Sequence, residues 1–218
     1  ALDFTCFATF QAKIRSLASP LLGSLFVTTF SSLVLTSKLS KDWTKKPPET
    51  ERIWFCSHPL FFDLEKGLVN EDDFCIRFNA LCQLNLPKHQ IINAWNALLV
   101  GYRKESIEWV KVHNHKYPTF LYSNTNQIHY DYFIPQFSEE IGGRFENLFK
   151  TPYYSHKMGQ RKPDPASFQF ILDKEGLIAA ETLFIDDNEP NVIAAASVGM
   201  QVLYLQSGMR VEKDLIIF

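Results

Sequence analysis

The chain has 218 residues, a formal net charge of −2, 46% hydrophobic residues and 14% aromatic ones. That length suits one domain with an inserted subdomain, or two small domains, and it is enough to bury a large core. The balanced charge excludes the broad basic footprint of a nucleic-acid binder, and the aromatic content excludes a disordered chain.

Residues 1–57 are rich in Ser and Thr, poor in acids and without a clean period. Residues 16–37 carry no charge, but their many hydroxyls argue against a membrane span or a cleaved signal. Lys45-Lys46-Pro47-Pro48-Glu49-Thr50 reads as a linker. The cysteines Cys6, Cys56, Cys75 and Cys82 are scattered without a CxxC pair. This speaks for a reducing, cytoplasmic setting and against a disulfide framework or a zinc site.

From residue 58 the local signals become orderly. Asn70-Glu71-Asp72-Asp73 starts an amphipathic helix through Phe74, Ile76, Phe78 and Leu81. Pro87 opens a second helix, and a third covers about 105–115. This gives a run of helices over 58–116 with no intervening strand. After Pro118 the pattern alternates. Thr119-Phe120-Leu121-Tyr122 is a strand, Pro152 to Ser155 a weaker one, and a helix follows Asp164-Pro165 and stops at Gly176. Thr182 to Ile185 is a strand, Asn191 to Val198 a helix, and Gln201 to Leu205 a last strand. Alternating strands and helices predict a Rossmann-like parallel sheet over 117–218, with helices on both faces and ligands at the carboxyl ends of the strands.

Three polar clusters fall at those ends. Ser123-Asn124 offers a hydroxyl and backbone N–H groups to a phosphate oxygen, or it simply turns the chain and caps a helix. Lys162, ahead of Pro163, carries an ammonium able to neutralise a phosphoryl group and a carboxylate together; the plainer reading is a solvated basic loop. Asp186-Asp187 places two like charges side by side, which suits Mg2+ with its oxygen ligands and retained waters, or an N-cap pair for the next helix.

Taken in order, FLYSNTN, GQRKPDPASF and TLFIDDNEPNVIAAASVGM resemble motifs two, three and four of the haloacid dehalogenase-like superfamily, over roughly 58–206. The likeness is to its small-molecule phosphatases with an inserted helical cap. It implies that Ser123 and the Asn124 amide bind phosphate, that Lys162 is the motif-three lysine, and that Asp186 and Asp187 hold Mg2+. It implies a cap over 58–116, a core over 117–218, and a first core strand within the atypical segment 1–57. The expected substrate is a small phosphorylated metabolite and the expected assembly a monomer or weak dimer. Receiver domains, which use similar residues, place the acid pair first and the lysine last.

The first motif of that superfamily, an Asp nucleophile at the end of the first strand, is not recognisable. Asp3, in Ala1-Leu2-Asp3-Phe4-Thr5, is the candidate nucleophile. Counting back from Ser123 by the spacing usual in such relatives lands instead near Leu22-Gly23-Ser24, where there is no acid. Three readings follow: Asp3 attacks, the protein binds without catalysis, or residues 1–57 depart from the native reading frame. Dehalogenation, which needs no Mg2+, fits the acid pair poorly. Cys75, Cys82, Trp95 and Trp109 are assigned packing roles and Glu139-Glu140 a solvated turn, while His113 and His115, at i, i+2 near a helix end, do not share a face and so do not pair on a metal. Asn126 and His129, just beyond motif two, are candidates to face the cleft.

Overall fold

The computed structural model describes the backbone of Ser24–Val27 and Val34–Thr36, together with residues 58–215. Within these, a five-stranded sheet runs in the order β5-β4-β1-β6-β7. Its strands are β1 (Ser24–Val27), β4 (Thr119–Ser123), β5 (Thr151–Tyr154), β6 (Thr182–Asp186) and β7 (Gln201–Tyr204). Every pairing is parallel. The central slot thus goes to β1, where Val27 registers with Leu121 on one side and Ile185 on the other. The spacing count from Ser123 reached the start of this strand.

Alternation along each strand divides the core into two layers. Leu121, Leu183 and Ile185 face one layer, with Phe133, Phe137, Phe145 and Leu203. Phe120, Tyr122 and Phe184 face the other, with Phe168, Ile171 and Leu172. The first layer is covered by α4 (Lys104–Asn114) and α5 (Gln127–Glu140), the second by α7 (Pro165–Glu175) and α8 (Glu189–Ser197). Local chemistry sets the ends of α7: the Asp164 side chain accepts from Ala166 N, Pro165 fills the first turn, and Gly176 closes it in the left-handed region.

A third cluster is built mainly from helices. It joins α1 (Pro59–Glu65), α2 (Glu71–Cys82) and α3 (Lys88–Asn96) through Leu60, Phe61, Leu64, Phe74 and Ile91. Asn70 caps α2 by accepting from Asp73 N, and three acids fill the first turn.

The expected run of helices is interrupted. Strand β3 (Leu99–Tyr102) pairs antiparallel with β2 (Val34–Thr36). Four residues containing a glycine give almost no strand signal of their own, and the partner lies in the segment without a period. By packing, α4 sides with the sheet: Ile107, Trp109 and Val110 share a buried cluster with Leu121 and Phe133. Glu139 and Glu140 are the last two residues of α5, not a turn. Two short α-helices, α6 (Ser155–Met158) and α9 (Val211–Asp214), and two 3-10 turns, Phe145–Leu148 and Ala179–Glu181, complete the set among the described residues. Among those residues no helix is long and apolar enough to cross a membrane.

Candidate functional site

Strand β4 delivers Ser123 at its carboxyl end, and β6 delivers Asp186 at the corresponding end two strands away. Lys162, on the loop before α7, reaches between them. Its Nζ donates to the Tyr122 carbonyl at 2.9 Å and to Asp186 Oδ2 at 3.0 Å. Lys162 is only 3% exposed and Asp186 is fully buried, so each charge needs the other. Burial pushes the Lys162 ammonium below the usual lysine range, while the neighbouring Asp186, Asp187 and Glu65 carboxylates act in the opposite sense.

Asp186 is held on all sides. Its Oδ1 accepts from the Asn188 amide at 2.7 Å, and Oδ2 also accepts from Asn191 Nδ2 at 3.1 Å. The helix cap is therefore Asn188, whose side chain accepts from Asn191 N, and not the acid pair. Asp187 is exposed beside it. The two acids at one strand end are thus unequal: one is fixed in the core and one faces out.

The Ser123 hydroxyl is 1% exposed and has no hydrogen-bond partner among the described residues. A buried hydroxyl at a strand end normally finds one, so this oxygen is left to a partner beyond the described residues. The next residue works differently. Asn124 Nδ2 donates to the Lys162 carbonyl and its Oδ1 accepts from the Lys162 amide, both at 2.9 Å. Its side chain thus aligns the lysine instead of facing a ligand, which leaves only its backbone amide for the phosphate role expected of it. A second clamp joins Thr125 and Ser155: the Ser155 hydroxyl accepts from the Thr125 amide and donates to its carbonyl.

Ser123, Lys162 and Asp186 are therefore brought together, with Asp187 at the rim. Asp3 lies outside the described residues. Ser155 and Asn191 were not anticipated; the one available cue was a polar Asn on the buried face of a helix otherwise built from Val and Ala. Asn126 and His129 do not open onto the strand ends. Asn126 is 2% exposed and caps α5. The His129 ring stacks on Trp95, and its Nε2 lies 3.0 Å from the Trp95 carbonyl. A carbonyl can only accept, so Nε2 carries the proton and Nδ1 accepts from Asn126 Nδ2 at 3.3 Å. Burial lowers His129 to about 4, keeping the ring neutral. His113 packs on Trp109 and bonds the Trp109 carbonyl. Among the described residues no group of three or more His, Cys, Asp or Glu is arranged to hold a metal.

The comparisons with known proteins agree with this geometry. A model of the haloacid dehalogenase-like hydrolases matches residues 28–199. A D-ribitol-5-phosphate phosphatase of Bacteroides thetaiotaomicron is 26% identical over 157 residues, covering 72% of this chain and 76% of the relative. A haloacid dehalogenase family enzyme from the same species, crystallised with magnesium and inorganic phosphate, superposes with a TM-score of 0.76 at 25% identity. That match covers 86% of this chain and 96% of the other. A structure described as that of a HAD-like hydrolase from Porphyromonas gingivalis gives a TM-score of 0.74 at 26% identity, covering 87% and 94%.

Proposed function

The chain belongs to the haloacid dehalogenase-like hydrolases, and we propose that it is a Mg2+-dependent phosphatase of a small phosphomonoester, an alditol or sugar phosphate. One observation carries the reading. A buried ammonium and a buried hydroxyl without a partner among the described residues stand together at the carboxyl ends of parallel strands, beside an acid pair. The named activity of the ribitol-phosphate relative supplies the substrate class.

In this reading the phosphoryl oxygens lie against the Ser123 hydroxyl, the Asn124 amide and the Lys162 ammonium. These donors are fixed before substrate arrives and stabilise charge as it develops. Asp186 faces Lys162 and opposes the loss of charge that burial favours. The donor set fits Mg2+, which is commonly held by one or two carboxylates, with waters and substrate phosphate completing the shell. Asp187 and Asp186 would hold it. Bound there, Mg2+ would screen the repulsion between an attacking carboxylate and the phosphate. The cap of α1–α3 would exclude water and select the alcohol.

The attacking carboxylate is assigned to Asp3, whose oxygen would form a bond to phosphorus as the substrate alcohol leaves. Water would then hydrolyse the aspartyl-phosphate to inorganic phosphate. A specific observation favours a second reading, a binding protein without turnover: residues 4–41, which include β1 and the chain leaving it, contain no Asp or Glu. One assay separates the two. Mg2+-dependent hydrolysis of p-nitrophenyl phosphate is measured for the full chain, for Asp3→Asn and for Asp186→Asn. The phosphatase reading expects turnover lost in both variants. Turnover retained in Asp3→Asn removes Asp3 from the mechanism. An inactive parent chain that still binds phosphate and Mg2+ establishes the binding protein.

A further inference from the structure

Beside Lys162 stands a second cation with a different partner. Arg161 Nε donates to Glu65 Oε2 at 2.6 Å, and the two side chains are 21% and 27% exposed. The guanidinium carbon lies 4.4 Å from the centre of the Phe62 ring. Glu65 and Phe62 both belong to α1, the first cap helix, and are 96 and 99 residues from Arg161 in sequence. The pair therefore joins the cap to the loop that carries the site lysine.

The contact surface beside it is tight. Gly67, just past α1, adopts φ +70°, and a Cβ there would lie 2.4 Å from the His156 carbonyl oxygen. The cap backbone thus rests directly on α6, the segment whose Ser155 is clamped to Thr125 in the loop after Ser123. An exposed ion pair between flexible side chains would contribute little. This one is half-buried, and its planar cation is stacked on a ring of the same helix that supplies the anion, which limits the entropy lost in forming it.

We propose that Arg161 and Glu65 form an electrostatic latch that seats the cap on the phosphate site, with Arg161 a positioning residue acting through α1 and through the adjacent Lys162. The part of this inference that concerns phosphate rests on the phosphatase reading above; the seating of the cap does not. With the latch closed, α1 is held against the loop that carries Lys162. With it open, the cap loses its tie to this side of the site.

Amide hydrogen exchange on the full chain tests the latch without turnover. It compares the parent protein, Arg161→Ala, Glu65→Gln and the swapped pair Arg161→Glu/Glu65→Arg. Each single variant is expected to exchange the amides of α1 about tenfold faster, with β4 and β6 unchanged, and the swap to recover most of the protection. Unchanged α1 exchange in the single variants overturns the proposal. So does an acceleration spread equally over β4 and β6, or a swap as fast as the single variants. A calorimetric titration with orthophosphate and Mg2+ is run beside it. Arg161→Ala is expected to bind phosphate about fivefold more weakly, and equal affinity with a loosened cap overturns the coupling to Lys162. A parent protein that binds no phosphate defeats the phosphatase reading instead and leaves the exchange result to decide the latch.

Discussion

At the carboxyl ends of the strands, Ser123, Lys162 and Asp186 are each at most 3% exposed, and Lys162 and Asp186 are fixed by directional hydrogen bonds and opposite charge. In α1–α3, the proposed cap, Phe61, Phe74 and Trp95 are held by ring contacts, with the Phe61 and Trp95 rings stacked at 5.5 Å and those of Phe74 and Trp95 tilted at 5.2 Å. Polar geometry has few solutions and fails when one partner is removed. Apolar packing fails by degrees, according to how well the site can collapse. The two regions should therefore respond differently to the same kind of damage.

The largest effect belongs to the strand ends. Replacing Lys162 by Met leaves Asp186 buried without its cation, which costs about 3–5 kcal/mol by the usual behaviour of broken buried pairs. Denaturant unfolding should show that loss with an unchanged slope, and orthophosphate binding should vanish with it. Next in size is Phe74→Ala in the cap, at 0% exposure. A buried Phe truncated to Ala costs about 3–5 kcal/mol where the cavity persists. About 3 kcal/mol, the low end of that range, is expected, concentrated in α1–α3. Hydrogen exchange should show α1–α3 opening while β4 and β6 keep their protection; equal loss in both regions would erase the distinction.

Smaller still is the response to pH. Burial holds the His129 and His156 rings near 4, below the ordinary 6.5. A histidine whose folded value is depressed binds protons more readily unfolded. Its contribution is complete above about 6.5 and is lost as pH falls towards 4. Each neutral ring should add a slope of up to about 1 kcal/mol per pH unit in that window. His129→Gln should remove one share of the slope, measured by urea unfolding at pH 7, 6 and 5. An unaltered slope would show that His129 does not tie the cap to α5 as a neutral ring.

The contrast also explains what could be read from the sequence. The segments around β4, β6, β7 and α7 announced themselves because each pairs an apolar run with a strong punctuating residue: Ser123, Asp186, Gly199, Asp164, Gly176. The candidate site residues stood out for the same reason, since two adjacent acids directly after an apolar strand are costly unless something compensates them. Helix α1 begins at His58-Pro59, where the cap is a histidine ring accepting from Leu60 N, and this is not among the usual start signals. Helix α5 carries Pro135 internally and aromatic residues on several faces, so its period was blurred. Counting back from Ser123 for a nucleophile landed beside β1 and found no acid, and the residues of β1, Ser24-Leu25-Phe26-Val27, look like the Ser- and Thr-rich run around them. The roles of Asn124, Ser155 and Asn191 depend on contacts across 5 to 38 residues, and polarity at a single position does not reveal the partner.

The central claim, that these strand ends form one phosphate site, is tested most directly at Ser123. Its hydroxyl has no partner among the described residues, so Ser123→Ala should leave the unfolding midpoint nearly unchanged. Titration calorimetry with orthophosphate in the presence of Mg2+ should then show binding weakened about tenfold, the loss of one charge-assisted hydrogen bond. Equal phosphate affinity in Ser123→Ala and the parent chain would contradict the account.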